Sequence, residues 1–201
     1  YAGLSTVVTI IIDEGSLAGR RNFWDYTASI QPNVGAQPDI VVIGGAFTHY
    51  NGAMAQHIAK LLDDGTADAT FGATVGPNTV QALGIHSDPT VATLVGKVLV
   101  GGNFSRVHGV GVNSLARLNT DGTVDLSFAS GTGPDGAVTA LAVQNDGRVV
   151  IGGFFRYVRG VARGGLARLN IDGSLDLGFD PGFGADNPVL ALALQADGRA
   201  V

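Results

Sequence analysis

Short β-rich runs, punctuated by glycine and Asp-Gly pairs, recur along the chain. In Val138–Gln144 apolar and polar positions alternate. Asn-Asp-Gly at 145–147 breaks the run, and Arg148–Gly152 forms a second β-rich stretch. A loop holding Gly160, Gly164 and Gly165 follows, and then Leu166–Asn170 and Ser174–Leu177 flank another Asp-Gly pair at 172–173. Short runs on either side of Asp-Gly predict a β-hairpin, with a type I′ turn whose two central residues take positive φ. No window sustains apolar residues at i, i+3, i+4 and i+7, so no helix longer than two turns is expected. The pattern predicts two successive antiparallel hairpins per unit, the content of one four-stranded β-propeller blade.

The unit recurs three times in one register. Gly-Gly followed by Phe stands at Gly44-Gly45 and Phe47, at Gly101-Gly102 and Phe104, and at Gly152-Gly153 and Phe155. A glycine comes next in each copy (Gly52, Gly109, Gly160), then Ala-basic-Leu around Lys60, Arg117 and Arg168. Asp-Gly begins at Asp64, Asp121 and Asp172, and the copies close on Asp68/Phe71, Asp125/Phe128 and Asp176/Phe179. The spacing from first glycine to Asp-Gly is constant, whereas the copies are offset by 57 and then 51 residues (44 to 101 to 152). Rigid segments joined by adjustable loops are the mark of a repeat architecture. The expected fold is all-β, a propeller of four-stranded antiparallel blades of about 51–57 residues, with Val80–Ile85, Ala140–Gln144 and Ala191–Gln195 innermost. The glycine doublets are expected at positive φ or where a neighbouring blade approaches closely.

The ends extend the register. Residues 28–79, 80–137 and 138–188 are whole blades, and 189–201 repeat an inner half. Residues 1–27 form the outer half of a degenerate blade, in which Asp13-Glu14-Gly15 replaces Asp-Gly. The two halves either complete one blade and close a four-bladed ring, or belong to a longer propeller. The weak match at Thr6–Leu17 favours the longer chain. Copies one and two carry insertions at the tips of their first hairpins, Gln31–Asp39 and Ser87–Gly96. These place Gln31, Pro32, Asn33, Pro38, Asp88, Pro89 and Thr90 on one rim, the side of a repeat array that often meets partners.

Composition narrows the chemistry. With 31 Gly, 14% charged residues and 45% hydrophobic residues in 201, the chain suits a packed β-structure. A net charge of −5 with scattered basic residues argues against nucleic acid. The longest apolar run, Val7–Ile12, is too short to span a membrane, and the absence of Cys excludes disulfides and thiolate chemistry.

The pattern A-L-A-V-Q-x-D-G-R-V-V-I-G-G-x-F, continued by G-x-x-R-x-x-L-A-R-L-N-x-D-G-S-L-D-x-x-F, resembles the delta-60 repeat of large bacterial secreted proteins. The resemblance covers residues 28–201 and is sharpest in copies two and three. It implies an extracellular or surface-displayed propeller, part of a longer polypeptide, and brings no catalytic residues with it. Kelch repeats share the Gly-Gly doublet but need a Tyr and Trp in every blade, whereas the one Trp here, Trp24, lies outside the repeats.

Candidate sites are few. Asn119, Asp121 and Asp125, with Asn170, Asp172 and Asp176, partly resemble a calcium loop, the one cofactor entertained. The missing bidentate Glu favours an Asp-Gly turn with Asn capping its own backbone. Lys60, Arg117 and Arg168 are expected in ion pairs with Asp68, Asp125 and Asp176. Phe47, Phe104, Phe155, Phe71, Phe128 and Phe179 are expected as wedges between blades. His49, His57, His86 and His108 lack metal-ligand spacing and read as surface residues. Asn103-Phe104-Ser105 is formally a glycosylation sequon, and its Gly-Gly context is a strand end rather than a phosphate cradle. No nucleophile motif or paired-carboxylate signature is present. The expected function is a non-catalytic extracellular scaffold of an adhesin, filament or coat, working through protein partners or self-association. A glycan-binding or glycan-hydrolysing propeller is the alternative.

Overall fold

The computed structural model of the chain describes residues 8–12, 41–76, 78–86, 89–128 and 133–195. β1 (Val8–Ile12) precedes the first repeat, which contributes β2 (Val41–Gly45), β3 (His49–Tyr50), β4 (Ala53–Met54), β5 (Ile58–Leu61) and β6 (Val75–Gly76). The second holds β7 (Val80–Ile85), β8 (Val98–Gly102), β9 (Arg106–Val107), β10 (Val110–Gly111) and β11 (Leu115–Leu118). The third holds β12 (Val138–Val143), β13 (Val149–Gly153), β14 (Tyr157–Val158), β15 (Val161–Ala162) and β16 (Leu166–Leu169). Helical geometry among the described residues is confined to a 3-10 turn at Pro89–Val91. The chain is all-β, as its patterning predicts.

Three three-stranded sheets place the doublet strand at their centre: β1-β2-β5, β7-β8-β11 and β12-β13-β16. The second and third are antiparallel throughout. The first departs from the expected pattern, because β1 runs parallel to β2, from Val8 opposite Val41 to Ile12 opposite Gly45. A sheet edge offers N–H and C=O groups to a strand of either direction. Val-Thr-Ile-Ile-Ile, β-branched at every position, suits that place. The proposed inner strand at Ala191–Gln195 shows one bridged residue, Leu194, and no extended ladder. The rest of its hairpin, from residue 196, lies outside the described residues.

The fourth strand of each blade is also shorter than expected. It is reduced to single bridges, Leu61 with Ala67, Leu118 with Val124 and Leu169 with Leu175. The closing aspartate explains this. Asp68 Oδ1 accepts from the Thr70 amide at 2.9 Å and from its hydroxyl at 2.5 Å. Asp125 does the same with Ser127, and Asp176 accepts from the Gly178 amide. Each side chain turns the backbone off the sheet edge and swings the following Phe inward.

The turns exchange types relative to expectation. At Asp121-Gly122 only the glycine has positive φ, 85°. The Gly122 amide donates to the Asn119 carbonyl, and the Asn119 amide donates to Thr123. This is a three-residue loop, a type I turn followed by a left-handed glycine, and it recurs at Gly65, Gly147 and Gly173. The two-residue type I′ turn occurs instead in the small hairpins β3–β4, β9–β10 and β14–β15. There Asn51-Gly52, His108-Gly109 and Arg159-Gly160 all have positive φ. These hairpins also stitch the repeats together, for β6 of the first repeat pairs with β9 of the second, and Pro134 bridges to Val158.

The middle sheet is buried on both faces, so its runs are apolar without alternation. Val98 and Val100 of β8 face the first sheet with Val42 and Ile58, while Leu99 faces the third with Val149 and Ile151. The doublet glycines make this stacking possible by close approach, and none of them has positive φ. A Cβ on Gly44 would lie 2.5 Å from Val80 Cγ1, on Gly101 2.8 Å from Val138 Cγ1, and on Gly152 2.7 Å from Val189 Cγ1. In each case the valine heads the inner segment of the next repeat. The second glycine meets the backbone that leads into its own inner strand: a Cβ on Gly102 would strike the Thr79 carbonyl, and one on Gly153 the Ala137 carbonyl. β7 and β12 bulge at this level, where pairing slips between Val80 and Ala82 and between Val138 and Ala140.

The two kinds of glycine should respond differently to substitution. Gly153→Val, which drives a side chain into backbone, is expected to cost about 3 kcal/mol. Gly109→Ala, with open space but φ of 77°, should cost roughly 1 kcal/mol. Urea denaturation of both variants checks the order, and equal costs would remove the packing explanation.

Candidate functional site

The densest polar cluster lies where the second sheet meets the third. β11 presents Arg117, only 2% exposed, toward Asp125 beyond the Asp-Gly turn. Arg117 Nε donates to Asp125 Oδ2 at 2.8 Å, and Lys97, just before β8, reaches the same oxygen at 2.6 Å. One carboxylate thus joins the second strand, the third strand and the turn. Arg117 Nη1 donates across the interface to the Ile171 carbonyl at 2.5 Å, and its guanidinium lies 4.7 Å from the Phe128 ring centroid. Burial pushes the Asp125 carboxyl up, but the hydrogen bonds from Lys97, Ser127 and Arg117 outweigh it and hold the group well below the usual carboxylate range.

The motif repeats with less burial. Lys60 pairs with Asp68 at 3.0 Å, and Arg168 with Asp176 at 2.8 Å, with Arg148 in the place of Lys97 at 3.3 Å. Arg168 lies 5.0 Å from the Phe179 centroid. The Thr70 hydroxyl, then Lys60, lowers Asp68 to about 2. The three expected ion pairs therefore form, each within its own repeat. Phe47, Phe71, Phe104, Phe128 and Phe155 are buried as wedges, while Phe179 is half-buried.

The oxygens considered for calcium have other partners. Asp121 Oδ1 accepts from the amide and hydroxyl of Thr123, and Asp172 Oδ1 from those of Ser174. Those hydroxyls, ahead of the amides, lower both carboxyls. Asn119 and Asn170 donate their side-chain amides to the same hydroxyls, closing each loop on itself. Among the described residues no cluster of three or more His, Asp or Glu has metal-binding geometry.

Of the proposed rim, Gln31, Pro32, Asn33, Pro38 and Asp88 lie outside the described residues. Pro89 and Thr90 form the 3-10 turn, with Thr90 exposed. The rest of that insertion is not a free rim, because Leu94 is buried against the next repeat, over Gly147 and beside Ile171. His86, expected at the surface, is 3% exposed at the end of β7. Burial, followed by the nearby Arg117 and Lys97, lowers it to about 4. His49 and His108 are exposed, and His57 takes a left-handed φ of 66° ahead of β5. His86 occurs in one copy, so recurrence gave no signal for it, and the basic position of Lys97 recurs only as Arg148 in the third copy. An apolar Leu94-Val95 pair within a hairpin tip was the available clue to the packed insertion. Asp135 also escaped notice: its Oδ1 accepts the amides of Arg156 and Tyr157 and fastens the exit of one repeat to the hairpin of the next.

Each repeat thus runs from a doublet strand to a phenylalanine held by an Asp–basic pair. A family model, the beta-propeller domain of unknown function DUF5122, matches residues 37–71, 96–128 and 144–179, with each segment ending on that phenylalanine. The chain belongs to this propeller family. No curated protein and no solved structure matches it significantly. Within the propeller, the matched segments cover the second strand, the small hairpin, the third strand and the closing turn. The inner strands and hairpin-tip insertions, which vary among the copies, fall largely outside them. No helix among the described residues is long and apolar enough to cross a membrane.

Burial separates the pairs energetically. Arg117→Ala leaves Asp125 and the Ile171 carbonyl short of a buried donor and should cost roughly 3 kcal/mol. Lys60→Ala, at a partly exposed pair, should cost less than about 1 kcal/mol. Urea denaturation midpoints for the two variants test this, and an Arg117→Ala protein as stable as Lys60→Ala would refute the buried clamp.

Proposed function

We propose that the chain is a non-catalytic propeller module of the delta-60 type, secreted or displayed at a cell surface. It serves as a scaffold for protein contacts or self-association within an adhesin, filament or coat. One observation carries this reading: the side chains that recur in every repeat are engaged in holding the sheets. The Asp–basic pairs close the blades, the phenylalanines wedge between them, and the hairpin carboxylates bind their own turns. What varies from copy to copy is the hairpin-tip insertions, and insertions on one face of a repeat array often mark its binding side.

Exposed apolar residues fit the same reading. Leu126 and Leu177 hold the same position in successive repeats and are 79% and 71% exposed, and Met54 is 74% exposed on its hairpin. Exposed apolar groups in register along an array suit contact with another surface.

Sedimentation of the purified protein from about 1 to 100 μM, around the range of moderate protein–protein affinities, tests the reading directly. Concentration-dependent association is expected, with no retention on a glycan array. A monomer at every concentration that binds a defined glycan would overturn the scaffold reading in favour of a lectin-like module.

A further inference from the structure

The insertion at the tip of the second sheet is fastened at its base by one histidine. The His86 amide donates to the Lys97 carbonyl, and the Gly96 amide donates back to the His86 carbonyl at 2.8 Å. Between them, the Leu94 amide bonds to Val91 and the Lys97 amide to Leu94, which closes residues 89–96 into a compact cap. Leu94, 4% exposed, rests on Gly147 and Ile171 of the next repeat. The cap therefore spans two sheets, and its hinge is the residue least suited to carrying charge there.

His86 is 3% exposed, and its Nε2 is buried without a hydrogen-bond partner. It lines a cavity of about 30 Å³ with Val91 of the cap and the facing hairpin tip around Gln144 and Gly147. That space holds a water molecule and little more. Among the described residues, which leave out Asp88, the charged groups around the ring are two cations, Arg117 and Lys97, and one carboxylate, Asp125, which both cations already bind. On the facing tip Asp146 and Arg148 are paired with each other, and residues 80–85 and 89–96 carry no charge.

We propose that this tip is an acid-released clasp, in which protonation of His86 frees residues 89–96 from the neighbouring repeat and uncovers Leu94 and the tip beneath it. A neutral imidazole fits the site. An imidazolium adds a charge beside two cations in a buried site. The sign follows from proton linkage. An exposed histidine titrates near its ordinary value of 6.5, whereas burial, Arg117 and Lys97 hold the closed form to about 4. The clasp is thus fully stable above pH 6.5 and loses stability as pH falls toward 4. Its opening equilibrium rises roughly 60-fold between pH 7 and pH 4.5. Asp125, held far below its usual range, stays ionised throughout this window.

Hydrogen exchange of the intact protein at pH 7 and pH 4.5, corrected for intrinsic rates, tests the clasp. The amides of His86, Gly96 and Lys97 should show about 60-fold excess opening at pH 4.5, while β13 amides show none. His86→Gln, neutral at both values, should abolish the excess. No excess in the wild type, or the same excess in His86→Gln, overturns the proposal. NMR titration of the wild-type imidazole decides independently of any variant: a midpoint near 4 supports the clasp, and one above 6 refutes it.

Discussion

Everything else in this propeller depends on a valine side chain seated where a glycine leaves room. Successive sheets approach so closely at the Gly-Gly doublet that no side chain fits on its first residue, and the space is taken by Val80, Val138 or Val189 of the next repeat. Val80 and Val138 are essentially inaccessible to solvent, so the contact is a core contact made between repeats rather than within one. A repeat that cannot bury its faces alone must find them in its neighbour, and this pairing fixes how the neighbour sits. The bulges in β7 and β12 follow, since each inner strand must shift by a residue to pass the doublet.

Around that contact the charges act locally. Each closing aspartate ends the outer strand, pairs with the basic residue of the third strand, and delivers a phenylalanine to the core. In the second repeat one aspartate gathers Lys97 and Arg117, and Arg117 reaches on to the Ile171 carbonyl of the third. A guanidinium buried this deeply needs its acceptors, and the structure provides them from two sheets. The same cations make the adjoining position costly for a protonated His86. The polar economy of the interface and the acid sensitivity inferred for the clasp therefore share one cause.

The residues that recur in all three copies were legible from the chain alone: the doublets, the Asp–basic pairs, the phenylalanine wedges and the all-β architecture. Recurrence separates a structural residue from its background without any alignment of other proteins. What occurs once was not legible. The buried His86 and the packing of Leu94 belong to a single hairpin tip. The orientation of β1 escaped because a sheet edge accepts a β-branched run in either direction. The fourth strand is shorter than its pattern predicts because the side-chain hydrogen bonds of the closing aspartate end it. Asp-Gly suggested a two-residue turn, but the Asn119-to-Thr123 bond adds a residue and leaves positive φ to the glycine alone.

A double-mutant cycle on Gly44 and Val80 tests the valine-in-glycine contact most directly. In the native background, Gly44→Ala places a methyl against Val80 Cγ1 and should destabilise the protein by roughly 1–3 kcal/mol in urea denaturation. In a Val80→Ala background the offending methyl is gone, and the same substitution should cost less than half as much. An equal cost in both backgrounds would mean that the glycine serves some other purpose, and the account of how the repeats stack would fail.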